Sequence, residues 1–306
     1  MSAVRINDAH CHFFSESFFA ALAAQGVGSR PRTPIDLCNE LQWEAPGAPE
    51  ALADRWLREL DAHRVNRAAL IASVPGDEES VAAAVARHPA RFVGFFMIDP
   101  SAPDAAARAT RAVVQLGLRG ICLFPAMHQV PLDDNRVGKV VEVAAANPGV
   151  VVFVHCGVLT VGVRRKLGLP SRFDLRLGDP RAVARLALAF PQVAFIIPHF
   201  GAGTLREVLM AADVCPNLHV DTSSSNSWTR YTPGLTLQAV FGSALSVLGP
   251  RRILFGTDSS FFPRGWQKGV YEEQKRIVDA LGTSAADAAL IFGGNFDALF
   301  SVPVKP

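Results

Sequence analysis

The chain has 306 residues, 49% of them hydrophobic and 19% charged, with 30 Lys and Arg against 28 Asp and Glu. This is enough for one large α/β barrel or two ordinary domains and excludes global disorder, while a net charge of +2 gives no footprint for nucleic acid or an anionic membrane. Five cysteines without a C-x-x-C pair exclude a disulfide framework or zinc ribbon, and with no leader-like N-terminus and no spanning apolar run they predict a cytoplasmic protein.

The first predicted strand is "VRINDAHCH" (4–12), followed by a short helix at 15–25 and an irregular stretch at 26–48 rich in Pro, Gly and Arg. From there short apolar runs bounded by Gly, Pro and Asp alternate with alanine-rich periodic segments, the pattern of strands buried on both faces and their covering helices. The helix 49–63 precedes strand 67–74, helix 77–89 precedes strand 91–99, and helix 102–117 precedes strand 118–124. Ser101 and Asp104 predict a capping box at the start of that last helix, and Gly117 its C-cap. Further strands fall at 150–156, 193–200, 217–223 and 252–258, separated by helices at 134–147, 179–190, 203–213 and 233–248. Helices at 268–281, 284–292 and 295–300 close the chain. Eight such strands predict an α/β fold, a (β/α)8 TIM barrel with a long insertion after the first strand, as one domain over 1–306. A doubly wound sheet would need a Gly-rich loop after strand one, and "GAG" at 201–203 lacks that spacing. The insertion is expected over the barrel mouth, as a lid or as the contact of a homodimer.

His10 and His12 are two apart on the first strand, so they share a face and Cys11 takes the other. Alone, the pair reads equally as half of a metal site or as two satisfied core or turn histidines. The other strand ends decide, because active sites in such barrels form there. Strand five ends in His155, strand six in His199 and strand eight in Asp258, while strands seven and three carry Asp221 and Asp99. Four of the eight histidines thus meet an acid on one rim, and the metal-site reading prevails. His63, His88, His128 and His219 read as structural, His128 alone among them lying on a rim loop.

The ordered set "DAHCHFF", "HPARFVGFFMIDP", "QLGLRGICLFP", "VVFVHCG", "IIPHFGAG", "NLHVDTSS", "ILFGTDSSFFP" and "IFGGNFDALF" resembles the amidohydrolase superfamily. It is similar to the amidohydrolase-related branch that includes aminocarboxymuconate-semialdehyde decarboxylase and the dicarboxylate and sugar lactonases. The resemblance implies His10, His12, His155 and Asp258 as metal ligands and His199 as the imidazole that hydrogen-bonds water or substrate. It also implies a bridging Lys or Glu from strand four in members with two metals. Here Cys122 or Phe124 stands in that region and no lysine ends a strand, which predicts a single metal.

Three imidazoles and a carboxylate suit Zn²⁺, with Mn²⁺ the alternative. The expected activity is hydrolysis of a small carbonyl substrate, a lactone or amide bearing a carboxylate or an aromatic ring. Metal-activated hydroxide attacks, His199 stabilises the developing oxyanion and Asp258 transfers the proton. A non-oxidative decarboxylase acting on an aromatic or muconate-type acid uses the same groups and stands as the alternative. Asp221 is expected either to orient a histidine or to cap a loop. Arg164, Trp228, Arg230 and Arg264 are the candidate substrate contacts, and Phe13, Phe14, Phe124, Phe200, Phe261 and Phe262 line a pocket or the core.

Overall fold

A computed structural model describes residues 5–25 and 32–301. They form an eight-stranded parallel sheet in the order β1-β2-β3-β4-β5-β6-β7-β8. The strands are β1 (Ile6–Phe13), β2 (Val65–Ala72), β3 (Phe92–Met97), β4 (Gly120–Leu123), β5 (Val151–Val154), β6 (Ala194–Ile197), β7 (Leu218–Asp221) and β8 (Ile253–Leu254). Every predicted strand is present; β3 to β8 are trimmed at both ends, β1 runs on to Phe13, and β2 starts earlier, at Val65. β8 keeps only two residues, and the chain beyond it joins β1 through separate bonds: Ala9 N to Phe255 O (2.8 Å), Asp258 N to His10 O (2.9 Å) and His12 N to Ser259 O (2.7 Å). These complete the TIM barrel.

The period of two sorts the strand residues. Val151 and Phe153 of β5 face the barrel interior with Ile71, Phe95, Ile196 and Leu254, while Val152 and Val154 pack outward under the helices. Phe296 and Phe300 of the helix Asn295–Phe300 join the interior cluster, and Asn295 Nδ2 donates to Ile253 O (2.7 Å) at the start of β8. The last helix therefore plugs the end of the barrel opposite the strand C-termini.

Three local expectations need correction. Ser101 does not cap the helix Ala105–Val114: its backbone N and Oγ donate to Asp99 Oδ1 instead (2.9 and 2.7 Å), a local turn that competes with the capping box. Gly117 is not its C-cap either: the helix is capped by Gln115, whose N donates to Arg111 O (2.9 Å), and Gly117 (φ 69°) turns the chain two residues later, with Leu118 N donating to Ala112 O (3.0 Å). The stretch 26–48 is not wholly irregular, because Thr33 and Asp36 form a reciprocal capping box that starts the helix Pro34–Leu41; residues 26–31 lie outside the described residues. This helix and Glu16–Ala24 bury Phe19, Leu22, Leu37 and Leu41 against Val163 and Leu167 of the loop after β5. The insertion thus sits across the mouth. No helix among the described residues is long and apolar enough to cross a membrane.

Candidate metal centre

His10, His12, His155, His199 and Asp258 all line one cleft of about 350 Å³ at the C-terminal ends of the strands. A break in register between Asp8 and Cys11 lets β1 present both histidines inward, while Cys11 packs in the outer core. Asp8 stabilises this distortion: its carboxylate accepts from His10 N (2.9 Å), Thr257 Oγ1 (2.5 Å) and Trp266 Nε1 (2.7 Å), tying β1 to the loop after β8. Burial pushes the Asp8 pKa up.

The backbone at the other strand ends is also unusual. His199 (φ 56°), Phe200 (φ 51°) and Asp258 (φ 61°) are left-handed, a conformation that persists in non-glycine residues only where the surroundings enforce it. Asp221 Oδ1 accepts from His199 N (3.1 Å), and Phe200 is buried against Phe241. Gly157 follows His155 with φ 69°, and a Cβ there would lie 2.1 Å from Gly201 O, so glycine is required where the ends of β5 and β6 touch.

Hydrogen bonds set the tautomers. His10 Nδ1 donates to Asp221 Oδ2 (2.9 Å), leaving the Nε2 lone pair toward the cleft. Ser73 Oγ donates to Ile71 O (3.0 Å) and so accepts from His12 Nδ1 (2.7 Å), again leaving Nε2 free. Ser223 Oγ donates to Asp221 Oδ1 and accepts from His199 Nδ1 (2.8 Å), with the same result for His199. Three acceptors then converge: His10 Nε2 lies 3.3 Å from His12 Nε2, and Asp258 Oδ1 lies 3.0 Å from His12 Nε2 and 3.8 Å from His10 Nε2. Electron pairs facing one another without a proton between them fit a cation. His155 Nδ1 is a buried nitrogen without a hydrogen-bond partner among the described residues, which fits a further ligand.

The electrostatics agree with this donor set. Burial, together with neighbouring imidazoles, depresses the pKa values of His12, His155 and His199, keeping them neutral as ligands must be. Burial alone also lowers His10, but the Asp221 carboxylate overrides it and raises the pKa. Burial opposes ionisation of Asp258, yet the His12 imidazole against its carboxylate, with His10 and His199 nearby, holds the carboxyl well below the usual range. A second group, His10, His199 and Asp221, also lies close together, but the bonds through His10 Nδ1 and Ser223 already engage it. Asp221 therefore stands behind His10 as an orienting acid, one of its two expected roles.

The substrate candidates divide. Arg264 lines the cleft, donating to Ser260 Oγ (2.6 Å) and Asp258 O (3.2 Å) with its guanidinium 4.5 Å from the Phe261 ring centroid. Arg164, Trp228 and Arg230 do not line it. Arg164 turns to Gln25 Oε1 and Pro170 O, Trp228 is buried on Asn226, and Arg230 lies over Tyr231. Phe14, Phe124 and Phe261 are cleft walls, whereas Phe13, Phe200 and Phe262 belong to the core. Among the cleft groups that sequence reading missed are Ser73 and Trp43. Lys166 was visible as a cation in the loop after β5, but Trp43 reaches the cleft only through the fold of the insertion. Cys122 is sealed in the barrel interior, where burial drives its thiol pKa well up.

The amidohydrolase family model (Amidohydro_2) matches residues 8–301. The chain belongs to the amidohydrolase family. No curated protein matches its sequence. Among solved structures, an uncharacterised TIM-barrel protein from Bordetella bronchiseptica aligns with a TM-score of 0.67 at 18% identity, over 97% of this chain and 98% of the other. The 5-carboxyvanillate decarboxylase of Novosphingobium aromaticivorans, solved as a D314N mutant with bound manganese, aligns with a TM-score of 0.65 at 15% identity over 98% of each chain. A probable 2-pyrone-4,6-dicarboxylic acid hydrolase from Acinetobacter baumannii aligns with a TM-score of 0.60 at 13% identity, over 97% of this chain and 100% of the other. At these identities the shared property is the fold. This amidohydrolase has the barrel expected from its strand pattern.

Proposed function

We propose that the protein is a mononuclear metal-dependent hydrolase of a small carbonyl compound, a lactone or an amide bearing a carboxylate or an aromatic ring. The observation that carries this reading is the convergence of His10 Nε2, His12 Nε2 and Asp258 Oδ1, three acceptors within 3.8 Å of one another. With His155 they form the ligand set, which suits zinc first and manganese second. A single ion follows because β4 and the residue after it offer only the sealed Cys122 and the wall residue Phe124, and His10 Nδ1 is already committed to Asp221. When bound, the cation supplies Lewis acidity, polarising the substrate carbonyl and acidifying water.

The chain's own groups handle the protons. Asp258, kept ionised, takes a proton from the attacking water and returns it to the leaving group. His199 presents an acceptor nitrogen to the cleft, so in the neutral state it orients a water O–H rather than donating to an oxyanion. Arg264 and Lys166 add positive charge beside Phe261, and neither pairs with a carboxylate among the described residues. That charge supports an acidic substrate.

Elemental analysis should find one equivalent of metal per chain, and two equivalents with both needed for turnover would overturn the mononuclear reading. Asn at position 258 keeps a coordinating oxygen but holds no proton. At matched metal occupancy, Asp258→Asn should therefore lower turnover by about 10²-fold or more; turnover near the parent rate would remove Asp258 from proton transfer. One feature favours non-oxidative decarboxylation as a second reading. Trp43 and Phe261 stack with centroids 3.8 Å apart under Lys166 and Arg264, a surface suited to a planar aromatic acid. A panel of lactones, amides and aromatic acids, followed for both acid release and CO₂, separates the two.

A further inference from the structure

We propose that a second chamber opening beside the metal cleft is a subsite for a remote carboxylate of an elongated substrate. The proposal deepens the hydrolase reading and rests on it. The chamber, about 510 Å³, is continuous with the cleft: Phe18, Ser73, Met97, Met127 and Val161 line both. Its own lining adds Arg164, Arg172, His128 and Gln129, and Asp258 in the metal cleft is the one carboxylate lining either lobe among the described residues.

The charge in this chamber is unbalanced. The Arg164 guanidinium meets only neutral acceptors, Gln25 Oε1 and Pro170 O (both 2.5 Å), and its buried Nε has no partner among the described residues. Those two bonds fix the side chain in place without neutralising it. Arg172 has no side-chain hydrogen bond or ion pair among the described residues; only its backbone O is used, accepting from Gln129 Nε2 (2.9 Å). An anion entering here regains the charge pairing that a half-buried guanidinium lacks, and displaces no protein carboxylate. The methionines at the passage, Met97 and Met127, suit an apolar chain joining the reacting carbonyl to that anion.

The test uses the zinc-loaded and the chelated full-length protein, titrated calorimetrically with α,ω-dicarboxylates from glutarate to sebacate and with the monocarboxylates of matching length. For the zinc-loaded protein, at least one longer diacid should bind about 10-fold more tightly than its matched monoacid, the scale of one charge-assisted hydrogen bond. Arg164→Gln should reduce that ratio to about 2-fold or less, and Arg164→Lys should retain part of it. Arg172→Gln should lower it by about 3-fold; it breaks no side-chain bond in the fold and reads out even if Arg164→Gln is unstable. Equal binding of diacids and monoacids at every length, or a ratio unchanged in both Gln variants, would overturn the subsite. Monoacid binding that ignores zinc would count against the metal cleft alone, since the diacid ratio is measured independently of it.

Discussion

Around the barrel rim, β1 and β5 to β8 deliver His10, His12, His155, His199, Asp221 and Asp258, whereas β2 to β4 finish in Ala72, Met97 and Leu123. The polar arc is held in left-handed turns at His199 and Asp258 and cross-braced by Asp221, Ser223 and Asp8. The apolar arc has regular strand ends, and its Met97 and Met127 face both lobes of the cleft. One side therefore carries strain and fixed donors, while the other offers deformable surface. On the proposed reading, the polar arc carries the chemistry and the apolar arc shapes the substrate.

The strongest break of this comparison is His10→Ala or His12→Ala. Each should leave less than a tenth of an equivalent of metal after dialysis, and the stabilisation that metal confers on the parent, about 2.7 kcal/mol at a free concentration of 100 times Kd, should vanish. Unchanged metal content in both variants would take β1 out of the centre. A smaller effect is expected from Asp221→Asn, which weakens the acceptor behind His10 Nδ1 and should lower metal affinity by about 10- to 100-fold. Met97→Leu, on the apolar arc, should leave that affinity unchanged; equal losses in both would erase the distinction between the arcs.

The smallest effect concerns acid. His219 shares the inward face of the sheet with Ile196, and burial lowers its pKa from 6.5 to about 4. A depressed folded-state value means the unfolded chain binds the proton first. The stability His219 contributes is therefore complete above pH 6.5 and lost as pH falls toward 4. His12, His155 and His199 act in the same sense, and His10, with its raised pKa, in the opposite one. Thermal melts of the chelated protein should show Tm falling over this interval, and His219→Leu should flatten the fall by about 1 to 3 °C. An identical slope in the variant would mean that His219 does not contribute.

What was legible in the sequence follows from locality. The alternation in β1 and the short apolar runs are dictated within each strand, so the barrel and its rim of histidines could be read residue by residue. The loops could not. Arg164 and Arg264 look alike in sequence, yet one is drawn to Gln25 on the insertion and the other to the turn at Ser260. Trp43 reaches the cleft only because Gln42 (φ 57°) turns the chain back after the helix Pro34–Leu41 and the indole stacks on Phe261. Ser101 shows the same limit at short range, since a neighbouring Asp99 outcompetes a plausible cap. Asp8 and Ser73 carry no signal of their own, because their importance comes from the strand register that sets them beside Thr257 and His12.

The seam between β1 and the chain beyond β8 has a consequence for biosynthesis. His12 and Asp258, whose Nε2 and Oδ1 lie 3.0 Å apart, are made at widely separated points of translation. A nascent chain displaying the first seven strands would already carry every histidine of the centre but neither the carboxylate nor a closed ring. The three backbone bonds at Ala9, His12 and Asp258 form only when the last strand arrives. The proposed ligand set is thereby complete only once the chain beyond β8 has been made, and a product cut short before Asp258, with its seam open, lacks the carboxylate.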